Sequence, residues 1–190
     1  MLLVPSRPIS LPVFKSGCWY DDFAVTGAKD PGYTLNSLKT LTTNGIIIYP
    51  PGVGGCDIEV PQKYCSNNVI IETICRIVTG SLITPMNFRK TDWNNRWRVE
   101  ITSDNVLRLQ KTVLGANTLM GTVNISSALS WNLVRVEVLG AKIDVYHNGI
   151  LKISVNDSDL LNNTRIHFSM YDGVISQAKG EYQYFAIKPL

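Results

Sequence analysis

The sequence predicts an all-β protein, a sandwich or a barrel, on three observations. From about residue 44 onward, short runs rich in Val, Ile, Tyr and Phe alternate with polar residues, the period of a half-buried strand. Gly, Asn, Asp and Pro stand at the joints between those runs, where turns need them. No segment of about eleven residues repeats its apolar positions at helical spacing. At 190 residues, 45% of them apolar, the chain has the material for one ordinary domain and one core.

Taken in order, GIIIYP gives a first short apolar run, and PPGVGG breaks it. NVIIETICRIV is long and β-branched, with Ile71, Thr73, Cys75 and Ile77 on one face; Cys75 is therefore expected as a buried thiol. MNFRKT and RWRVEITS follow, and NVLRLQKT comes after a Ser-Asp-Asn turn. SWNLVRVEVLG sets Val134, Val136 and Val138 on one side and Arg135 and Glu137 on the other. KIDVYH and ILKISV are joined by Asn148-Gly149, a pair suited to a type I′ turn with positive φ at both positions. TRIHFSMY and EYQYFAIKPL close the chain.

Residues 1–18 differ from residues 19–190. Leu2, Leu3, Val4, Ile9, Leu11, Val13 and Phe14 are interleaved with prolines, which forbid a regular helix or a central strand. Disordered tails are usually polar, so this apolar arm is expected to lie along its own domain, a neighbouring subunit or a larger assembly. Pro5, Pro8, Pro12 and Arg7 interrupt it, which argues against a signal peptide. No apolar run reaches the length of about 18 residues that spans a membrane. The net charge of +3 is spread among acidic residues, and nucleic acid is not an expected partner. Cys56 and Cys65 bracket DIEVPQKY; they are more readily unpaired thiols than a disulfide, and their wide spacing disfavours zinc. No cofactor is expected.

WYDDFAV near the start, SWNLVRVEVLGAKIDVYHNGILKISV in the middle and EYQYFAIKPL at the end resemble the concanavalin A-like lectin/glucanase superfamily, in its laminin-G-like jelly-roll branch. The resemblance covers roughly residues 19–190 and rests on core and turn positions. It implies two antiparallel sheets, one of them concave, with an Asp-Phe first strand paired to a Tyr-x-x-Phe last strand. Glucanases of the superfamily carry three carboxylates along one strand. Here Asp57 and Glu59 lack a third acid and are expected on a glycine-rich loop, while Glu100 and Asp104 are four apart. In an extended strand that spacing separates the two by about 13 Å, beyond both catalytic separations. No catalytic residue is assigned, and a glycoside hydrolase is the disfavoured alternative. The Asp144-x-Tyr146-x-Asn148 order is similar to the calcium loop of plant lectins, but Ile153 stands where the next acid is needed. A hairpin is expected there, without metal.

Sugar sites combine an aromatic platform with hydrogen-bonding side chains. FRKTDWNNRWR offers Trp93, Asn94, Arg96 and Arg98, with Trp97 in phase with the core. EYQYF offers Tyr182 and Tyr184, expected opposite Phe185 and Ile187 and beside Arg135 or Tyr146 on the concave sheet. Such a domain with a docking arm resembles phage virion components: head decoration, tail or receptor-binding proteins made in the host cytoplasm. The expected function is therefore non-enzymatic, with residues 1–18 docking onto other virion subunits and the lectin-like domain displayed, oligomeric or within an assembly. The rival is a stand-alone carbohydrate-binding module.

Overall fold

The computed structural model describes residues 19–21, 34–35, 38–42, 45–49, 56–60, 62–80, 82–170 and 179–190, with side chains from Ile58 onward except Ser169 and Met170. The strands, in chain order, begin with β1 (Trp19–Asp21), β2 (Thr34–Leu35), β3 (Leu38–Thr42), β4 (Gly45–Tyr49) and β5 (Cys56–Glu59). They continue with β6 (Val69–Thr79), β7 (Leu82–Asp92), β8 (Asn95–Thr102), β9 (Val106–Val113) and β10 (Ala116–Asn124). The last are β11 (Asn132–Leu139), β12 (Lys142–His147), β13 (Ile150–Asn156), β14 (Arg165–Met170) and β15 (Lys179–Pro189). One sheet runs β13-β12-β11-β6-β15-β4-β3, with β1 also on β15; the other runs β10-β9-β8-β7-β14-β5-β2. Every pairing is antiparallel, and the first strand meets the last through Trp19↔Ile187 and Asp21↔Phe185.

Alternation decides what lies between the sheets. Val69, Ile71, Thr73, Cys75 and Ile77 of β6 point inward, as do Val134, Val136 and Val138 of β11. Facing them are Trp97, Val99 and Ile101 of β8 and Leu107 and Leu109 of β9. Burial drives the Cys75 thiol pKa far up, so it stays protonated. At the centre Phe168 of β14 stacks on Phe185 of β15, with ring centroids 4.0 Å apart, and Tyr182 leans on Phe185 at 5.1 Å.

Turns obey the sequence where it is explicit. Asn148 and Gly149 have φ of 51° and 81°, the type I′ geometry their identities require. The Asn148 side-chain oxygen also accepts a hydrogen bond from Leu133 N at 2.9 Å. Leu114-Gly115 makes the same kind of turn between β9 and β10, at φ of 50° and 82°. At Gly121, beside a bulge in β10, an added Cβ would stand 2.5 Å from Ile153 Cγ2 of β13; the glycine lets the two sheet edges approach.

Two expectations need correction, and one strand was not foreseen. Asp57 and Glu59 lie in β5, paired with β14, because Ile58 between them supplies a core residue. β10 gave no signal in the sequence: it is an edge strand whose side chains are largely exposed. Tyr182 and Tyr184 do not share a face. Register shifts at Gln183, so that Tyr182 opposes Cys75 and Tyr184 opposes Ile74. This bulge turns Tyr182 inward beside Phe185 and leaves Tyr184 outward, and Thr73 Oγ1 donates to Tyr184 O at 2.7 Å to hold it.

The bulge separates the two tyrosines energetically. Tyr182→Ala should cost about 3 kcal/mol or more of unfolding free energy, the loss of a buried aromatic. Tyr184→Ala should cost about 1 kcal/mol, the worth of its exchanged hydrogen bond. Denaturant unfolding of both variants checks this, and the reverse order would place the bulge elsewhere.

Candidate functional site

Because Trp97, Val99 and Ile101 face the core, Arg96, Arg98 and Glu100 lie on the other face of β8, where their neighbours bury Arg96 and Glu100. Arg98 Nε meets Glu100 Oε1 at 2.6 Å, and its other nitrogens reach Gln110 Oε1 at 2.8 Å and Thr112 Oγ1 at 3.1 Å. Gln110 Nε2 donates to Glu100 Oε2 at 2.6 Å, and Thr112 Oγ1 donates to Asn117 Oδ1 at 2.7 Å. Both oxygens of Glu100 are thus occupied. Arg98 is committed to this network, which stitches β8, β9 and β10 together.

The β7–β8 turn holds the other expected residues. Asp92 Oδ1 accepts from Asn94 N at 2.7 Å and from Asn95 Nδ2 at 3.2 Å, closing an Asx turn that lifts Trp93 out of the sheet. Trp93 is 42% exposed and is the one aromatic among the exposed large apolar side chains of the described residues. Lys90 Nζ lies 3.8 Å and the Arg96 guanidinium carbon 4.4 Å from its ring centroid, both within cation–π range. Asn94 O accepts from Gly115 N at 3.0 Å, so the β9–β10 turn buttresses this one.

Beside the turn lies an open cleft of about 390 Å³, lined by Gln62, Lys90, Thr91 and residues 162–165. Lys90 belongs to both features: its ammonium is 3.3 Å from His167 Nδ1. A protonated lysine can only donate, so Nδ1 accepts and the imidazole carries its proton on Nε2. The far wall is the β13–β14 connection, and polar contacts pin it. Lys111 Nζ bridges Asp157 Oδ2 at 2.5 Å and Asp159 Oδ2 at 2.6 Å, and Trp97 Nε1 donates to Asp159 O at 3.3 Å. Arg89, held at φ 47°, reaches the carbonyls of Asp157 and Gly140. Asn163 Nδ2 donates to Thr91 Oγ1 at 2.5 Å, and Gln62 Nε2 to Thr164 Oγ1 at 2.7 Å. Gln62, Thr91 and Arg165 had no distinguishing pattern in the sequence. Only the fold brings them to Lys90.

The structure divides the expected sugar-binding residues. Trp93, Asn94 and Arg96 cluster at the turn, and Arg98 lies along the same strand face. Tyr146 and Tyr184 are on the other sheet, half-buried; Tyr146 stacks under Arg135 at 5.1 Å, and Tyr184 Oη donates to Glu72 Oε1 at 2.6 Å. Tyr182 is fully buried and cannot touch a ligand. Asp144 bonds Lys142 Nζ and Ser154 Oγ, each at 2.6 Å, so its carboxylate is paired within the hairpin. Asp104 sits in the β8–β9 turn, 3.7 Å from Arg108, and not in line with Glu100. Burial, with a smaller push from the Glu59 charge, moves the Cys65 thiol up to about 11. The arm residues Leu2, Leu3, Val4, Ile9, Leu11, Val13 and Phe14 lie outside the described residues.

Solved structures that superpose on this sandwich include a carbohydrate-binding module and a β-glucanase. A carbohydrate-binding module from Bacillus subtilis superposes with a TM-score of 0.64 at 17% identity, over 80% of this chain and 92% of that one. The Bacillus licheniformis β-glucanase gives 0.69 at 11% identity, over 93% of this chain and 100% of that one. An apo transglycosylase gives 0.73 at 9% identity, over 92% and 85% respectively. No family model and no curated protein sequence matches. At these identities the likeness is one of fold: this is a concanavalin A-like jelly roll of the kind that glucanases and carbohydrate-binding modules share.

The pinned wall carries a pH signature. Burial disfavours the Asp157 carboxylate, but hydrogen bonds from Lys111 and Asp159 N and the charges of Lys111 and Arg89 outweigh it, lowering its pKa. Hydrogen bonds to Asp157 and then Asp159 raise that of Lys111. A depressed carboxylate stabilises the fold above its unfolded pKa of about 3.9 and loses that contribution as pH falls through the lower folded value. Below about pH 4 the melting temperature should therefore fall more steeply in the natural protein than in Lys111→Met. Equal slopes would mean the pair does not hold the wall.

Proposed function

We propose that this protein binds carbohydrate without transforming it, through Trp93 and the adjoining cleft. The observation that carries the proposal is the pairing of one exposed indole with a cleft walled by Gln62, Thr91, Asn162, Asn163 and Thr164. Sugars present apolar C–H faces and a dense ring of hydroxyls, and an aromatic plate beside amides and hydroxyls answers both. The fold is one used by carbohydrate-binding modules and by glucanases, which makes a saccharide the natural ligand class.

Binding is favoured over hydrolysis by the state of the acids. Glycoside hydrolysis requires one carboxyl group to give up a proton and a second to act on the sugar. Glu100 faces outward on β8 with arginines at the alternate positions before it, and both its oxygens accept hydrogen bonds from Arg98 and Gln110. With both oxygens taken by neighbours on β8 and β9, neither is open to a glycosidic oxygen. A display role on a virion drew its support from the composition of residues 1–18 alone; binding by the jelly roll is independent of it.

Trp93→Ala should weaken binding to the best oligosaccharide on a glycan array by about tenfold or more, the weight of one aromatic anchor. Its melting temperature should stay within a few degrees of the natural protein's, since the side chain lies at a turn tip. Tyr184→Ala, on the other sheet, should leave the affinity as it is. Undiminished binding in Trp93→Ala would remove the site. Release of reducing ends from a β-glucan, lost in Glu100→Gln, would replace binding with catalysis.

A further inference from the structure

We propose that the saccharide bound at Trp93 is an oligosaccharide held along its length, with Leu114 as a second apolar contact; the inference rests on the binding role just given to Trp93 and the cleft. An anomaly at the β9–β10 turn points to it. Leu114 is 87% exposed, the most open of the large apolar side chains among the described residues. It also stands at φ 50°, a left-handed conformation that a bulky side chain rarely adopts. The equivalent place in the β12–β13 turn is taken by Asn148, the residue type that such turns favour. Neither burial nor turn geometry accounts for a leucine at 114. A contact at the surface does.

The fold sets Leu114 beside the turn that carries Trp93. Leu114 N donates to Asn95 Oδ1 at 3.0 Å, and Gly115 N donates to Asn94 O at 3.0 Å. The two turns are thereby tied to each other, and Asp92 in turn holds Asn94 and Asn95. Strand order then puts three features in a row at one end of the second sheet. β9, β8, β7 and β14 are neighbours in that order. The β9–β10 turn, the β7–β8 turn and the 162–165 wall of the cleft therefore follow one another. From Leu114, on the β9 side, to that wall is three strand spacings, about 15 Å. Trp93 lies between them. A mono- or disaccharide on the indole reaches one neighbour at most, whereas a longer chain reaches both. Asn94, exposed between the two turns, offers its side-chain amide to sugar hydroxyls on the way. A leucine makes undirected apolar contacts, so it answers the C–H face of a sugar ring and senses chain length more than hydroxyl pattern.

The test uses the whole chain and oligosaccharides from three polymers, a β-1,3-glucan, a β-1,4-glucan and a β-1,4-mannan, each as the disaccharide and the hexasaccharide. Titration calorimetry should show at least one hexasaccharide bound at least about tenfold more tightly than its own disaccharide. Leu114→Asn should lower that hexasaccharide's affinity severalfold and leave the disaccharide's unchanged. Its melting temperature should rise by about 2 °C, since asparagine suits the turn better than leucine. Leu114→Gly, which also tolerates positive φ, should repeat the loss of affinity. Trp93→Ala should weaken both lengths, which keeps the carbohydrate reading separately testable. Equal affinity for the two lengths, or a hexasaccharide affinity that neither Leu114 variant lowers, overturns the inference and leaves sugar binding at Trp93 standing. A melting temperature that falls in Leu114→Asn also overturns it, because the leucine then serves the fold. Binding of none of the probes overturns the carbohydrate role and this inference with it.

Discussion

Phe168 lies flat on Phe185, 4.0 Å between ring centroids and 13° between planes, and this contact across the two sheets sets the phase of both strands. With Phe168 and Ile166 turned inward, alternation leaves Arg165 and His167 on the outer face of β14. There they meet Lys90 and Glu59. On the opposite sheet Phe185 fixes Ala186 and Ile187 against β1. Tyr182 joins Phe185 through the bulge at Gln183. The core therefore decides which polar side chains can reach a ligand, before any of their own interactions count.

Around that frame, polar networks shape the surface by commitment. Arg98 and Glu100 are consumed in joining three strands, and Asp144 in closing a hairpin. Lys111 is in phase with Leu107 and Leu109 and so points toward the interior; at the end of the sandwich it finds two aspartates and pins the connection that walls the cleft. Each of these residues resembles a functional group in isolation. What separates them from Trp93 is exposure, since the indole stands 42% open at its turn while their contacts face inward.

Much of the fold was legible because the core strands follow strict alternation: β6 and β11 came with their faces assigned correctly, as did Trp97 in the core and the Asn148-Gly149 turn. Legibility failed where a single inserted residue changed the period. Gln183 reverses the phase of EYQYF, and no local rule distinguishes that bulge from a continuous strand. It failed again at β10, whose pairing comes from its neighbour β9 while its own side chains stay exposed. Of the site, Trp93 was legible, because a tryptophan beside Asn-Asn cannot be core and turn at once. The cleft was not. Gln62, Thr91 and Arg165 are far apart in the chain and ordinary one by one, and only the β7–β14 pairing and the pinned connection bring them together.

The central claim is that ligand meets the second sheet at Trp93 and not the tyrosine-bearing face of the first. Chemical-shift mapping on isotope-labelled protein, titrated with the tightest oligosaccharide, tests it in one experiment. The largest shifts should fall on the Trp93 indole N–H, on the backbone amides of residues 90–94 and on those of residues 162–165, with the Tyr146 and Tyr184 region unmoved. Shifts concentrated on Arg135, Tyr146 and Tyr184, with Trp93 silent, would contradict it.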